Sequence, residues 1–420
     1  MSTIIDLRDF CRANRDWLLE TAETLVRLES PTTDKAAVDR CGSVLASRLE
    51  AMGGRVTRLS RPDRGDHLRV TFGPAASHDA LGPAEAGRHE DAEAGRHERA
   101  EAGRHEHAEA GRHDRDGTQI LLLGHFDTVW PVGQLERMPL VRSGGRLHGP
   151  GVFDMKAGIA IAMLATRALL DVAPAIAHRI VMLWTTDEEV GSESSRAVIE
   201  DEARRSAAVL VLEPSLPGGA LKTSRKGCGS YQVTVRGVAA HAGIEPQKGA
   251  SAVQELAHQI LRVNALQDLA RGISVNVVQV SGGLRSNVIP DEARAVVDVR
   301  VPTAAAAAEI AAAFRGLRAV DGRTTVEAIG GVERPPLERT DLVARLYEEA
   351  QDIARELGQE LAEGGTGGGS DGNFTAALGV ATLDGLGAIG DGAHALHEHV
   401  EIETLADRAA LVAGLITRIH

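Results

Sequence analysis

Runs of Val, Leu and Ile alternate with alanine-rich stretches of helical period through the first half of the chain. RVTRL from Arg55, LRVTF from Leu68, TQILLLGHFDT from Thr118, HRIVMLWTTDEE from His178 and AAVLVLEP from Ala207 read as strands, and AGIAIAMLATRALL reads as a helix between them. Near-continuous apolar strands imply a sheet buried on both faces, so an α/β architecture with a mostly parallel, helix-covered sheet is expected. Beyond Glu213 the texture changes. YQVTVRG, SVNVVQVSGG and RAVVDVRVP alternate apolar and polar positions, with one helical stretch near Gly249 and another across the alanine run from Ala304. Strands with one solvated face and helices on the other predict a smaller α+β domain over residues 224–332. A helix from Asp341, a glycine-rich loop, a short apolar strand and a C-terminal helix then rejoin the first sheet. The larger domain is therefore expected in two parts, 1–223 and 333–420, with the smaller one inserted.

One stretch fits neither period. From Ala84 the unit AEAGRHED recurs four times with small changes, placing His89, His97, His105, His107 and His113 in residues 84–115. A period of eight builds no apolar stripe. Alanine is its main apolar side chain, so it buries too little surface to offset the entropy of ordering. Imidazoles spread along such a chain do not converge as a zinc site requires, and the segment reads as a surface insertion rather than a metal-binding device. Deleting residues 84–115 is expected to leave kcat/KM within about twofold, since each doubling of loop length changes closure free energy by only about 0.6 kcal/mol. Kinetics and thermal unfolding of the shortened protein check this, and loss of folding would contradict it.

Composition narrows the classes. The 420 residues are 43% hydrophobic and 25% charged, and 59 acids against 46 bases leave a net charge of -13. That balance argues against nucleic acid or an anionic membrane as the main partner. MSTIIDLRDFCRANRDW carries early charges and no long apolar run, so it reads as neither signal peptide nor membrane span, and cytoplasmic residence is expected. Cys11, Cys41 and Cys228 match neither a disulfide framework nor a cysteine zinc motif and read as reduced thiols.

The candidate chemistry stands at strand ends and glycine turns. In LLLGHFDT, His125 and Asp127 are two apart, a spacing that lets the carboxylate orient the imidazole. HGPGVFDMKAG places Asp154 directly before a helix, TTDEEVGSE offers Asp187, Glu188 and Glu189, and VLVLEPS ends with Glu213. GDGAHALHEHVE supplies His394, His397 and His399. Carboxylates at the C-terminal ends of strands in an open α/β sheet lie where ligands bind. Two histidines and at least three carboxylates suit two divalent metals sharing a bridging carboxylate. Mixed nitrogen and oxygen ligation without thiolate points to zinc, with cobalt or manganese as alternatives.

GHFDTVWP, RLHGPGVFDMKAG, TTDEEVGS, LEPS, HAGIEPQKGASAV, SNVIPDEARAVVDVR and TGGGSDGNF follow one another along the chain. In this order they resemble the dinuclear zinc peptidases and deacylases, which include glutamate carboxypeptidase, aminoacylase, acetylornithine deacetylase and succinyl-diaminopimelate desuccinylase. The glutamate carboxypeptidase branch is the most similar. The resemblance implies that Asp154 bridges two metals, that Glu189 and His394 complete one site, and that His125 and Glu213 complete the other. It makes Glu188 the general base, Asp127 the partner of His125, and the peptide bond after Asp154 cis. His394 is chosen over His397 by its spacing to Glu398 and Val400, while His399 stands where relatives often have tyrosine. His241 matches a lid histidine that holds the scissile carbonyl oxygen and Asn287 a lid asparagine, both often supplied across a dimer. Arg300 and Arg334 match arginines used for a substrate carboxylate. The implied activity is hydrolysis of a small peptide or N-acyl amino acid with release of a C-terminal, glutamate-like residue, by a homodimer formed through the inserted lid. Deacylation of an N-acyl amino acid is the alternative. A non-catalytic histidine-rich metal binder is the remote one, and the base Glu188 weighs against it.

Overall fold

The protein is described from a computed structural model at residues 3–73, 119–174 and 178–419, so the octapeptide repeat lies outside the described residues. A six-stranded sheet forms the larger body, in the order Arg55–Leu59, His67–Phe72, Arg179–Thr185, Gln119–His125, Ser206–Val211 and Ala381–Leu383. The last four strands run parallel, and the first two form an antiparallel edge. The central apolar runs are buried because alternate residues serve opposite faces. Ile120, Leu122, Ile180, Met182 and Leu210 join the large core under the helices Thr3–Ala13, Arg15–Arg27, Ala157–Val172 and Leu405–Arg418. Leu121, Leu123, Val181, Leu183, Val209 and Val211 pack on the other face with Ile199 and Phe374. Helix Ala157–Val172 is buried for most of its length, which accounts for its lack of a polar stripe.

The inserted α+β unit has its own core. Its four-stranded antiparallel sheet runs Ser274–Gly282, Glu292–Val301, Gly227–Arg236 and Thr325–Arg334, and helices Ala252–Asn264 and Ala304–Arg315 contribute to the same core. Ser251 and Thr303 cap the two helices by accepting from the amides of Gln254 and Ala306. Tyr231 stacks on Phe314 with ring centroids 3.8 Å apart. The chain enters and leaves this unit side by side, since Arg225 and Leu337 exchange main-chain hydrogen bonds.

A further small antiparallel sheet has no counterpart in the apolar pattern. Val141–Ser143, Arg146–His148, His399–Glu401 and Gly390–Asp391 pair in short strands, bringing the HGPG segment against HEHVE. Cys11, Cys41 and Cys228 are unpaired, the first two buried. No helix among the described residues is long and apolar enough to cross a membrane.

Candidate dinuclear metal site

Three neighbouring parallel strands deliver the central residues to one edge. His125 closes Gln119–His125, Glu213 follows Ser206–Val211 by two residues, and Glu188 and Glu189 occupy the turn after Arg179–Thr185. Asp154 lies in the wide turn Val152–Lys156 that opens helix Ala157–Val172, and its bond to Met155 is cis. Two glycines make this approach possible. A Cβ on Gly124 would stand 2.4 Å from Met155 Cε, and one on Gly158 would stand 2.1 Å from the Leu212 carbonyl. With hydrogen alone there, the Asp154 turn seats between the strands that carry His125 and Glu213.

The two oxygens of Asp154 face different histidines. Oδ1 is 3.2 Å from His125 Nε2, which is also 3.4 Å from Glu213 Oε1. Oδ2 is 3.4 Å from His394 Nε2, which is 3.1 Å from Glu189 Oε2. Two sets of ligand atoms, His125 with Asp154 and Glu189 and His125 with Glu188 and Glu213, each lie within 4.8 Å of one another. The carboxylates thus crowd far more tightly than mutual repulsion favours unless cations stand among them. His394 is pushed up to about 10 by hydrogen bonds to Asp154 and Glu189, and against burial. Burial also opposes charge on His125, but Asp127, Asp154 and Glu213 outweigh it and raise its pKa well above the usual range. Asp154 is held low despite burial, because both rings donate to it. Buried Glu189 Oε1 and Asp127 Oδ1 have no hydrogen-bond partner. Unpaired buried carboxylate oxygens beside two imidazoles fit a pair of divalent cations.

The surroundings hold these side chains in place. His125 Nδ1 is 3.0 Å from the Asp127 carbonyl and 3.3 Å from its Oδ1, so the main chain takes the better hydrogen bond and the carboxylate acts through charge. Asp127 Oδ2 accepts from the Thr32 hydroxyl at 2.7 Å and the Glu189 amide at 3.4 Å. Glu398 accepts from the amides of Gly151, Phe153 and Asp154 at 2.9, 2.9 and 3.1 Å and from the Trp130 indole at 2.8 Å. Burial pushes its carboxyl up to about 7 against those bonds. Glu398 thereby fixes the Asp154 turn, and sequence reading used it only as a spacing mark for His394. Arg408 was missed altogether. Buried in helix Leu405–Arg418, it donates to the carbonyls of Gly387 at 2.9 Å, Gly219 at 3.0 Å and Gly385. Gly387 in turn donates to the Glu213 carbonyl at 2.9 Å.

The remaining candidates divide. Arg334 lies at the site, but its guanidinium is engaged within the protein: Nη1 is 2.5 Å from Glu188 Oε1, and Nη2 donates to Ser192 Oγ at 2.8 Å. Arg300 is bonded to Asp298 and is 2.6 Å from Cys228 Sγ. His241 and Asn287 sit together on the inserted unit, where the Ala242 amide donates to the Asn287 carbonyl. His241 is exposed, and Nδ1 accepts from the amides of Gly243 and Ile244, both at 3.1 Å. No contact joins it to the His125 cluster among the described residues. His397 is exposed beside Asp391, and His399 is buried against His148 with ring centroids 5.2 Å apart.

A mostly parallel sheet with acids and histidines at its carboxyl edge, carrying an inserted α+β unit, is the build of a dinuclear metal-dependent hydrolase. The chain belongs to peptidase family M20/M25/M40, whose model matches residues 121–418. It is 28% identical to carboxypeptidase G2 of Pseudomonas sp. (strain RS-16) over 407 residues, covering 95% of this chain and 88% of that protein. It is 30% identical over 325 residues to a succinyl-diaminopimelate desuccinylase of Methylobacterium sp. (strain 4-46), covering 72% and 80%. Its fold matches the Bacillus subtilis YXEP protein, a dinuclear metal-binding peptidase of the M20 family, with a TM-score of 0.66 at 13% identity over 97% and 98% of the two chains.

Proposed function

We propose that the protein is a zinc-dependent carboxypeptidase that cleaves an amide bond to release a C-terminal, glutamate-like amino acid from a peptidyl or acyl group. One observation carries the metal assignment: Asp154 turns one oxygen to each histidine. Asp154 would then serve both ions, with Glu189 and His394 completing one site and His125 and Glu213 the other. Bound there, the ions supply Lewis-acid polarisation of the scissile carbonyl and acidification of water.

The protein's own groups handle the proton. Glu188 is buried, and its pKa is pushed up to about 8 by burial, with Glu213 and Asp371 adding to the rise and Arg334 and His125 opposing it. Once ionised, such a carboxylate accepts a proton from water and returns it to the leaving amine. Arg334 holds Glu188 in position at 2.5 Å. Arg334→Met is expected to lower kcat about ten- to a hundredfold with little change in KM, the usual scale for losing a group that orients active-site residues. Partial recovery in Arg334→Lys, read from Michaelis kinetics, would support positioning, whereas a rise in KM alone would return Arg334 to carboxylate binding.

His241 and Asn287 reach a substrate in this reading from a second copy, as members of a homodimer, because among the described residues neither touches the cluster of its own chain. The similarity to carboxypeptidase G2 favours release of a C-terminal acidic residue, while similarity to the desuccinylase supports N-acyl amino acid deacylation as a second reading. Hydrolysis of a panel of peptidyl and N-acyl amino acids, with metal analysis of the same preparation, tests both. Two ions per chain and cleavage of N-acyl glutamates support the carboxypeptidase, cleavage confined to small acyl groups supports the deacylase, and failure on every member overturns both.

A further inference from the structure

TGGGSDGNF supplies none of the proposed ligands, yet it closes around Arg334. A Cβ on Gly369 would stand 2.7 Å from Arg334 Cδ, so glycine lets this loop lie against the stem of the side chain. Phe374 faces the guanidinium, its ring centroid 5.0 Å from Arg334 Cζ. Asn373 Nδ2 donates to the carbonyls of Pro335 at 2.7 Å and Lys226 at 3.2 Å, one at each end of the inserted unit. Such a seat is needed because Arg334 ends the strand Thr325–Arg334 of that unit, whereas Glu188 follows a strand of the larger sheet.

Asp371 completes the seat through a hydroxyl. Arg334 Nη2 donates to Ser192 Oγ at 2.8 Å, and the Ser192 hydroxyl donates its own proton to Asp371 Oδ1. Arg334 Nη2 stands 3.7 Å from that same oxygen, and Thr185 donates to Asp371 Oδ2 at 3.1 Å. Both Asp371 and Ser192 are buried. The other end of the guanidinium holds Glu188, with Nη1 at 2.5 Å from Oε1. The backbone at Ser192 supports the same reading. Its φ is +62°, in the left-handed region that disfavours a Cβ, and it follows Gly191 at +102°. Glycine would fit that backbone with less strain, and what serine adds is the hydroxyl joining Arg334 to Asp371.

We propose that Asp371 is a positioning residue for Glu188, acting through the Ser192 hydroxyl and the Arg334 guanidinium. This rests on the reading of Glu188 as the base of an amide hydrolase. Asp371 and Ser192 lie on the larger body, so they fix Arg334 relative to the sheet that carries Glu188, whatever the inserted unit does. Without them the guanidinium loses two of its anchors and Glu188 loses its aim.

Asp371→Asn in the metal-loaded protein is expected to lower kcat about ten- to a hundredfold with KM and metal content within about twofold, the scale for misplacing a reacting group by about 1 Å. Ser192→Gly should lower kcat by a similar factor while Tm changes little, because relief of the backbone offsets the lost hydrogen bonds. The effect should also depend on Arg334: in an Arg334→Met background, Asp371→Asn is expected to change kcat by less than about twofold. A crystal structure of Asp371→Asn reads the position directly, and Glu188 should be displaced from its place in the wild type. Losses that multiply in full in the double variant overturn the proposal, as does Glu188 unmoved in that crystal structure. A fall in Tm and metal content that accounts for the lost activity also overturns it, since Asp371 would then serve folding alone. Glu188 displaced in a protein that cleaves none of the panel would leave the positioning role standing and remove the hydrolase reading instead.

Discussion

Glu188→Ala is expected to keep both metal ions and to turn over about a hundred to ten thousand times more slowly, the range for loss of a general acid–base group. The geometry makes this a sharp test. Glu188 has ligand spacing of its own, since its carboxylate lies within 4.8 Å of the His125 and Glu213 donors. What distinguishes it from Glu189 is its partner. Glu189 faces His394 at 3.1 Å, whereas Glu188 is drawn to Arg334 at 2.5 Å. A guanidinium that occupies one carboxylate oxygen holds it off a cation and aims the group into the cleft. Its pKa, pushed up to about 8 chiefly by burial, suits a group that must take up a proton and then release it. Glu188→Gln provides the isosteric control, retaining shape and an acceptor for Arg334 without the proton affinity. Metal analysis and Michaelis kinetics on both variants decide the matter. Full metal with near-normal kcat would remove Glu188 from the reaction, and loss of one ion would make it a ligand.

The parts of this architecture that were legible in sequence are those where one physical rule acts over several neighbours. Apolar runs ending in His125, Thr185 and Val211 announced buried parallel strands, and their ends located His125, Glu188, Glu189 and Glu213 on one edge. Asp154 and His394 were legible as candidates from their own segments, but the choice of His394 over its neighbours and the bridging role expected of Asp154 came only through motif order. They meet through the small sheet pairing Arg146–His148 with His399–Glu401, whose strands of three residues carry no periodic signal. Buried charges were the least legible. Arg408 lies in LADRAALVAGLITR, where an arginine beside Asp407 reads as a solvated position, yet it is buried against three carbonyls from two loops. Arg225 and Asp384 are 159 residues apart and satisfy each other only after folding. Arg334 resembled a substrate ligand because its type suits a carboxylate. Which carboxylate it meets, that of Glu188, depends on how the inserted unit returns to the sheet.

Asp154→Ala is expected to lose both metal ions and to lower turnover by about a thousandfold or more, since Lewis-acid stabilisation of several kcal/mol disappears with the ions. A ligand to one ion alone would leave the second half of the cluster able to bind, because His125 with Glu213 and His394 with Glu189 are separate pairs at 3.4 and 3.1 Å. Asp154 is the side chain that touches both rings, through different oxygens. It is also the residue on which positioning bonds converge, with Glu398 anchoring the amides of Gly151, Phe153 and Asp154 itself. Removing its carboxylate while leaving that turn intact tests charge and ligation rather than folding. Asp154→Asn sharpens the test by preserving volume, and Glu398→Gln perturbs the turn while leaving every proposed ligand in place. Metal stoichiometry and the rise of Tm on adding zinc give readouts independent of turnover, because an ion that binds only the folded state stabilises it in proportion to the logarithm of its concentration over Kd. Wild type should show that rise and both Asp154 variants should not, while Glu398→Gln should show it at about ten- to a hundredfold higher zinc. One ion retained at full affinity in Asp154→Ala would mean that the two sites do not share this carboxylate, and the bridging assignment would fall.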